Sequence, residues 1–211
     1  YYTFQHFTEN GKLDRMRVLK ESLLAINRNF NKNLCSWFAG MFTALNPSVE
    51  EQLTLQPEMF AALSSPHSRP INIILGLLKN LCSHPRFLTD DFLDQTTVLF
   101  ASDVKAVHQN TLGVLSKLAK EKKEYRDTIC CAAAQGLMSR DESTQNKIVK
   151  LIQTFGETES PTLKEALSAY AETMLTSTKK ELAAYLKDNV SDALSTDKVL
   201  LTTLDEQASV A

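Results

Sequence analysis

Leu75-Gly76-Leu77-Leu78-Lys79-Asn80-Leu81 decides the fold, because two similar stretches flank it at almost the same distance. The sequence Leu-Gly-Val-Leu-Ser-Lys-Leu at residues 112–118 follows 37 residues later, and Ala-Gly-Met-Phe-Thr-Ala-Leu at residues 39–45 precedes it by 36 residues. A period of about 20–50 residues is typical of solenoids, propellers and other repeat arrays. Each copy lies in a helical pattern, so the sequence predicts an array of helices.

Apolar residues recur at steps of three and four along most of the chain, which predicts amphipathic helices. The first two helices are predicted at residues 13–30 and 34–45, and Asn46-Pro47 ends the second of them. Two kinds of helix then alternate. The first kind ends in a similar pattern at residues 62–65, 99–102, 137–140 and 174–177. The second kind is predicted at residues 70–81, 104–120, 142–155 and 179–187.

Helix-start signals recur in phase with this period. Ser48 and Glu51 form a capping-box pattern, and Ser160-Pro161 is typical of an N-cap followed by proline at the first helical position. Prolines separate most units, at Pro47, Pro85 and Pro161. No proline occurs near residues 122–124, which predicts a tighter or a continuous bend between two helices there.

The second helices are predicted to begin after polar N-cap residues. Asp103, Asp141 and Thr178 follow the three later copies of the first-helix ending and suit this role. Thr178 also has Glu181 three residues later, which predicts a second capping box.

Stacking of these units follows from their amphipathic character, because a single helix pair cannot bury both of its faces. No alternating Val/Ile/Thr-rich run predicts a strand. We therefore expect an all-α superhelix, or solenoid, of about four to five helix pairs with a period of about 37 residues. In this prediction residues 1–188 form one domain, and residues 189–211 form an acidic tail, a capping helix or a linker. Because the chain opens on Tyr1-Tyr2 rather than Met, we expect a fragment of a longer protein.

Two resemblances follow from these features. The alternating helices, the proline near the first helix of a unit and the Asp before the second resemble HEAT and armadillo repeats. The arginine typical inside the second helices of HEAT units is absent, so the resemblance is to a HEAT-like repeat. The front end is similar to an uncharacterised bacterial family of large helical-repeat proteins over residues 10–90, on the stretches Gly11-Lys12-Leu13-Asp14-Arg15, Leu23-Leu24, Trp37-Phe38 and Leu45-Asn46-Pro47. That family has no established activity, so its resemblance leaves the function open.

The composition excludes several classes of protein. With 43% hydrophobic and 23% charged residues the chain is expected to fold, and no apolar run approaches the about 20 residues of a membrane span. A net charge of −2 disfavours a dedicated nucleic-acid binder. Its four cysteines, Cys35, Cys82, Cys130 and Cys131, show no metal-ligand spacing, which predicts buried reduced thiols in a cytoplasmic protein.

Catalytic chemistry is not indicated by any motif. The four histidines are scattered, and none has a carboxylate or cysteine at a spacing that suggests catalysis or a metal. The acidic pairs Glu50-Glu51 and Asp90-Asp91 precede helical patterns, where the helix dipole favours negative charge. We therefore predict no catalytic residue, no cofactor and no metal, and expect that the protein is not an enzyme.

Glycines inside helices and the single tryptophan have structural explanations. Gly40, Gly76 and Gly113 each lower the stability of a helix by about 1 kcal/mol relative to alanine. We expect close approach of neighbouring helices to compensate for this loss, with a ligand contact as the alternative. Trp37 continues an apolar stripe, which favours a core position over a peptide-anchoring one.

One basic cluster suggests an alternative function. It comprises Lys117, Lys120, Lys122, Lys123 and Arg126, diluted by Glu121 and Glu124. HEAT-like solenoids include DNA-backbone binders and DNA glycosylases, and phosphate binding would require several cations facing one groove. The cluster falls at a predicted helix end, where cations favour the dipole, so we prefer a solvated, capped helix terminus.

An extended binding surface is the remaining prediction, because second helices of such arrays usually line the concave face. We predict a scaffold module that presents this surface to a partner protein or to an adjacent domain of its own chain. We predict no interaction with a membrane. The polar residues predicted to make the contact are Asn72, Lys79, Asn80, Gln109, Lys117, Gln145 and Lys150.

Overall fold

The computed structural model describes residues 1–28 and 30–186, and over this part of the chain it contains helices and no strand. The all-α prediction is therefore confirmed for the described residues. The segment 189–211, predicted as an acidic tail, capping helix or linker, lies outside them. Within the same described ranges, no helix is both long enough and apolar enough to cross a membrane.

Helix α1 (Tyr2–Glu9) precedes a series of helix pairs. The first helices of the pairs are α2 (Arg15–Ile26), α4 and α5 (Val49–Thr54, Gln56–Ala62), α7 and α8 (Thr89–Asp94, Thr96–Phe100), α10 (Arg126–Ala134) and α12 (Pro161–Ser168). The second helices are α3 (Lys32–Ala44), α6 (Ser68–Leu81), α9 (Lys105–Glu121), α11 (Glu142–Phe155), and α13 with α14 (Thr176–Glu181, Ala183–Leu186). Short 3-10 helices occupy Lys123–Tyr125 and Gln135–Met138.

Several predicted helix starts are confirmed. The Ser48 hydroxyl accepts the Glu51 amide and the Glu51 carboxylate accepts the Ser48 amide, which completes the capping box at α4. Asp141 caps α11 by accepting the Thr144 amide at 2.9 Å. Ser160 caps α12 and is followed by Pro161 at the first helical position. The tight bend after α9 is also confirmed, since a single 3-10 turn joins it to α10.

Two predicted caps are wrong. Helix α9 begins at Lys105 with Val104 at its N-cap, and the turn before it is held by the Ser102 hydroxyl, which accepts the Val104 amide. Ser139 makes the same contact with Asp141, so the true repeat spacing is 37 residues and aligns Asp141 with Val104 instead of Asp103. Thr178 lies inside α13 and forms no capping box.

Packing follows the order of the pairs. Each second helix contacts the next one, α3 with α6, α6 with α9, α9 with α11 and α11 with α13. First helices also pack together, α2 with α5, α8 with α10 and α10 with α12. One hydrophobic cluster runs through all of the pairs, from Leu19 to Tyr185. Every pair thus buries its apolar surface against its neighbours.

Polar contacts between pairs repeat with the period of the sequence. The partners lie 35–38 residues apart in Arg15 with Glu51, Lys20 with Glu58, Glu50 with Arg86, Asp90 with Tyr125, Lys105 with Asp141, Asn72 with Asn110, and Asp127 with Thr162. The sequence period therefore equals the step between neighbouring units in space.

The mid-helix glycines do not share one explanation. A Cβ at Gly40 would collide with the Tyr1 phenol, and one at Gly113 would meet the Lys79 side chain, with Nζ at 3.3 Å. At Gly76, apart from the adjoining residues and the backbone of its own helix, no described heavy atom lies within 4 Å of that position. The prediction of close approach by a neighbouring helix is therefore wrong at Gly76, whereas at Gly40 and Gly113 a side chain from another part of the fold occupies the space beside the glycine. Trp37 is half-buried and packs on the core beside Tyr1 and Phe38.

Candidate functional site

Charge is distributed very unevenly over the helices. The second helices α6, α9 and α11 contain seven Lys or Arg residues and two Glu residues, a formal charge of +5. The first helices α4, α5, α7 and α8 contain six Asp or Glu residues and no Lys or Arg. The net charge of −2 therefore conceals a basic row of second helices packed on acidic first helices.

A groove lies between α9 and α11 on this basic row. It has a volume of about 380 Å³, and we call it the α9–α11 groove. Its lining residues are Leu112, Gly113, Ser116, Lys120, Lys147, Lys150, Leu151, Thr154 and Phe155. Leu112 and Leu151 form an apolar floor with Phe155, and three exposed lysines form the rim. No carboxylate is among these lining residues.

Helical periodicity places these side chains. Leu112, Ser116 and Lys120 follow one another at steps of four on α9, so they share one face. Lys147, Leu151 and Thr154 share a face of α11 in the same way. Arg126 lies over the Phe155 ring, with its guanidinium carbon 5.1 Å from the ring centroid.

Gly113 opens one edge of the groove. The absence of a side chain there leaves space into which Lys79 of α6 extends, because a Cβ at Gly113 would lie 3.3 Å from the Lys79 ammonium. A fourth lysine therefore lies against the groove edge. Three successive second helices thus contribute cations to one surface.

The seven residues predicted to contact a partner fall into different environments. Lys150 lines the groove, Lys79 lies at its edge, and Asn80 is exposed on α6. Asn72 and Gln109 are half-buried and join neighbouring helices: Asn72 accepts a hydrogen bond from Asn110 at 2.8 Å, and Gln109 donates to Thr144 at 3.0 Å.

Lys117 and Gln145 have structural partners. The Lys117 ammonium donates to the Lys79 carbonyl at 2.8 Å, which ties α9 to α6. Gln145 is fully buried. Its side-chain amide forms hydrogen bonds with four backbone groups, the carbonyls of Leu137, Ser139 and Thr173 and the N–H of Leu175. This side chain joins two helix pairs and does not face solvent.

Most of the predicted basic cluster is likewise engaged in the fold. The Lys122 ammonium donates to the Phe87 carbonyl and the Thr89 hydroxyl, and the Arg126 guanidinium donates to the Ala119 carbonyl in the last turn of α9. Together with Lys117, these cations cap backbone carbonyls. Lys120 is the member of the cluster that lines the groove.

Other reactive groups are dispersed. The described residues contain no group of three His, Cys, Asp or Glu side chains that could hold a metal ion. Cys35, Cys82 and Cys130 are buried and free, as predicted, whereas Cys131 is free but only half-buried. Burial raises the pKa of the Cys130 thiol to about 12, so its nucleophilic thiolate is scarcely populated near neutral pH.

Six of the nine residues that line the groove belong to no site predicted from the sequence: Leu112, Ser116, Lys147, Leu151, Thr154 and Phe155. Lys147 and Phe155 belong to no basic or aromatic cluster along the chain, and the sequence does not show that α9 and α11 lie side by side. Counting charge separately for the two kinds of helix would have indicated the basic row, since the sequence alone defines both kinds. The apolar floor gives no such signal, because Leu112 and Leu151 resemble any other core leucine.

Comparison with known proteins identifies the family. A family model described as a domain of unknown function (DUF6493) matches residues 1–106, about half of the chain. The chain belongs to this family. The expectation of an uncharacterised family at the front end is confirmed, and the DUF6493 match extends further than the 10–90 range expected. No curated protein and no solved structure matches the chain. The α9–α11 groove lies beyond the matched residues.

Proposed function

We propose that this protein is a HEAT-like α-solenoid scaffold that binds a partner protein or a neighbouring domain of its own chain. The observation that carries the proposal is the α9–α11 groove, where an apolar floor and a lysine rim occur together on the basic row. Apolar surface rimmed by polar residues is typical of protein-binding sites. The proposed activity is binding without catalysis.

The order of packing supports a solenoid. Second helices contact one another in succession, and polar contacts join residues 35–38 positions apart. An array in which each unit contacts only its neighbours presents a long surface of equivalent helices, and such surfaces bind extended partners. The HEAT and armadillo resemblance agrees with this arrangement.

A protein partner accounts for the groove better than a nucleic acid does. A phosphate backbone provides charge but little apolar surface, and its binding relies on many cations facing it. Three cations of the basic cluster instead bond backbone carbonyls within the fold. The apolar floor of the groove contributes to binding only when the partner places apolar side chains against it.

The cysteines support a cytoplasmic location. All four are free thiols in the described residues, and Cys35 and Cys82 are fully buried. Free buried thiols are common in the reducing cytosol, where disulfides are rare.

Affinity capture from the source cells with charge-reversed variants tests the proposal. In Lys147→Glu/Lys150→Glu the rim is reversed, whereas Lys179→Glu/Lys180→Glu makes the same change on exposed lysines of α13 outside the groove. We expect at least one protein, quantified by mass spectrometry, to be lost with the rim variant and retained with the α13 control. Identical captured proteins for the wild type and both variants would contradict a binding role for the groove.

A further inference from the structure

We propose that the occupant of the α9–α11 groove is an acidic amphipathic helix of the partner protein. Its apolar side chains would lie on Leu112, Leu151 and Phe155, and its carboxylates would pair with Lys120, Lys147 and Lys150. This inference rests on the proposed function and specifies the chemistry of the partner.

The size of the groove limits what enters it. A cavity of about 380 Å³ lies at the lower end of the range of about 300–1,000 Å³ for ligand pockets. It therefore accepts a few side chains, while the rest of the partner lies across the helices. An amphipathic helix that places its apolar face into a groove between helices is a recurring mode of peptide recognition.

The floor supplies the apolar contact. Leu112 and Leu151 have only 1% and 3% of their surfaces exposed, so they close the base of the groove and contribute little accessible area of their own. Phe155, at the end of α11, is half-buried, so part of its side chain is accessible at the groove. The hydroxyl of Thr154 donates to the Lys150 carbonyl, which directs its polarity away from a ligand. The floor residues Leu112, Leu151 and Phe155 therefore present no polar side chain to a ligand, and the polar groups of the groove lie at its rim.

The rim determines the sign of the partner's charge. Lys120 lies in the last turn of α9, and Lys147 and Lys150 lie one turn apart on α11. Carboxylates spaced by three or four residues on a partner helix have the matching one-turn separation. Since no acidic residue lines the groove and the three second helices around it carry +5, an acidic partner is complementary and a basic one is repelled.

Fluorescence anisotropy with the whole 211-residue chain tests this inference. The probe is a fluorescein-labelled peptide of about 16 residues with Leu at i, i+3, i+4 and i+7 and Glu at most other positions. One control peptide has the same composition in scrambled order, and a second has Lys in place of each Glu. We expect saturable binding of the amphipathic acidic peptide that weakens as salt increases, and at least about tenfold weaker binding of both controls.

Variants locate the binding on the protein. Lys147→Glu/Lys150→Glu should weaken peptide binding about tenfold or more by reversing the rim. Ser116→Trp, at an exposed position, should weaken it similarly by filling the groove without a change of charge. The Lys179→Glu/Lys180→Glu control should remain within about twofold of the wild type.

Three outcomes would overturn the inference. Equal affinity for the scrambled acidic peptide would mean that charge alone is recognised. Binding of a short DNA duplex that the rim variant abolishes, without peptide binding, would assign the groove to nucleic acid. Tighter peptide binding after Leu200→Asp/Leu201→Asp in the acidic C-terminal segment would identify that segment of the same chain as the occupant.

The proposed function is tested separately. If groove variants lose a captured protein but bind the peptide as the wild type does, the acidic helix is wrong and the protein-binding role stands. If neither capture nor peptide binding changes in the variants, both proposals fail.

Discussion

Two junctions between helix pairs use the same repeat position in opposite ways. Gln145 and His108 lie 37 residues apart, on α11 and α9, and both are buried. The Gln145 amide nitrogen donates to the carbonyls of Leu137, Ser139 and Thr173, and its oxygen accepts the Leu175 amide at 2.9 Å. Neither ring nitrogen of His108 has a hydrogen-bond partner among the described residues.

The difference shows that the repeat fixes a position and leaves its chemistry open. Ile71, a further 37 residues earlier, occupies the same place with an apolar side chain. Gln145 connects the fourth pair to the fifth through hydrogen bonds to backbone groups. The His108 ring instead packs against the Phe100 ring, with 5.7 Å between the ring centroids. The junction beside His108 is held elsewhere, by the ion pair of Lys105 and Asp141 at 2.8 Å.

The largest effect is expected from breaking the junction at Gln145. Gln145→Leu removes the side-chain partner of the half-buried Leu175 amide and of three backbone carbonyls, which should cost about 3 kcal/mol of unfolding free energy. Urea denaturation measures this loss, and hydrogen exchange should locate it in residues 161–186. Gln109→Leu is the control, because that half-buried side chain bonds only side-chain hydroxyls and should cost under about 1 kcal/mol. Equal losses in the two variants would refute the special role of Gln145.

The opposite result is expected at His108. His108→Ile copies the solution found at Ile71 and removes two buried polar atoms without partners, so the unfolding free energy should rise by about 1 kcal/mol. The matched control is His67→Ile, which should destabilise the fold because the His67 ring bonds the Phe30 carbonyl at 3.2 Å. A destabilised His108→Ile variant would mean that the ring nitrogens are satisfied in solution.

A smaller effect separates the equivalent glycines. Gly76→Ala should stabilise the protein by about 0.5–1 kcal/mol, since alanine is the better helix former and a Cβ there meets no described atom. Gly40→Ala should stabilise the protein less than Gly76→Ala does, or should destabilise it, because the new Cβ would displace the Tyr1 side chain. Thermal unfolding of the two variants compares their stabilities directly. Equal stabilisation would show that the Tyr1 side chain moves away from residue 40 without a cost in free energy.

The smallest effect concerns the ion pair beside His108, which is partly exposed and screened by solvent. Hydrogen bonds from Lys105, Ser143 and Thr144 hold the pKa of the Asp141 carboxyl well below its usual range. A lowered pKa stabilises the fold above the unfolded value of about 4, and this contribution is lost as the pH falls towards the folded value.

The melting temperature of the wild type should therefore exceed that of Asp141→Asn at pH 7, and the difference should shrink below about pH 4. Asp103→Asn, at the residue that caps no helix, should leave the melting temperature unchanged at pH 7. A constant difference between wild type and Asp141→Asn down to pH 2 would contradict the contribution of the charge.

Much of the fold could be predicted because the determinants are local. The period, the alternation of two helix kinds and the caps at Ser48, Asp141 and Ser160 depend on residues a few positions apart. Asp103 and Thr178 were misplaced because a cap depends on where the helix actually begins. At Thr178 that point is set by Gln145 of a neighbouring helix, which binds the Leu175 amide.

The sequence by itself determined the helices, their repeat and the charge carried by each kind of helix. Only the tertiary structure decided which polar residues are left for a partner, because burial and hydrogen bonding depend on neighbours about 30–40 residues away. In the folded chain, Gln145 and Lys117 form hydrogen bonds between helix pairs and are not available to a partner. Packing of α9 against α11 places Lys120, Lys147 and Lys150 around one apolar floor. Residues on separate helices form a site only when packing brings their faces together.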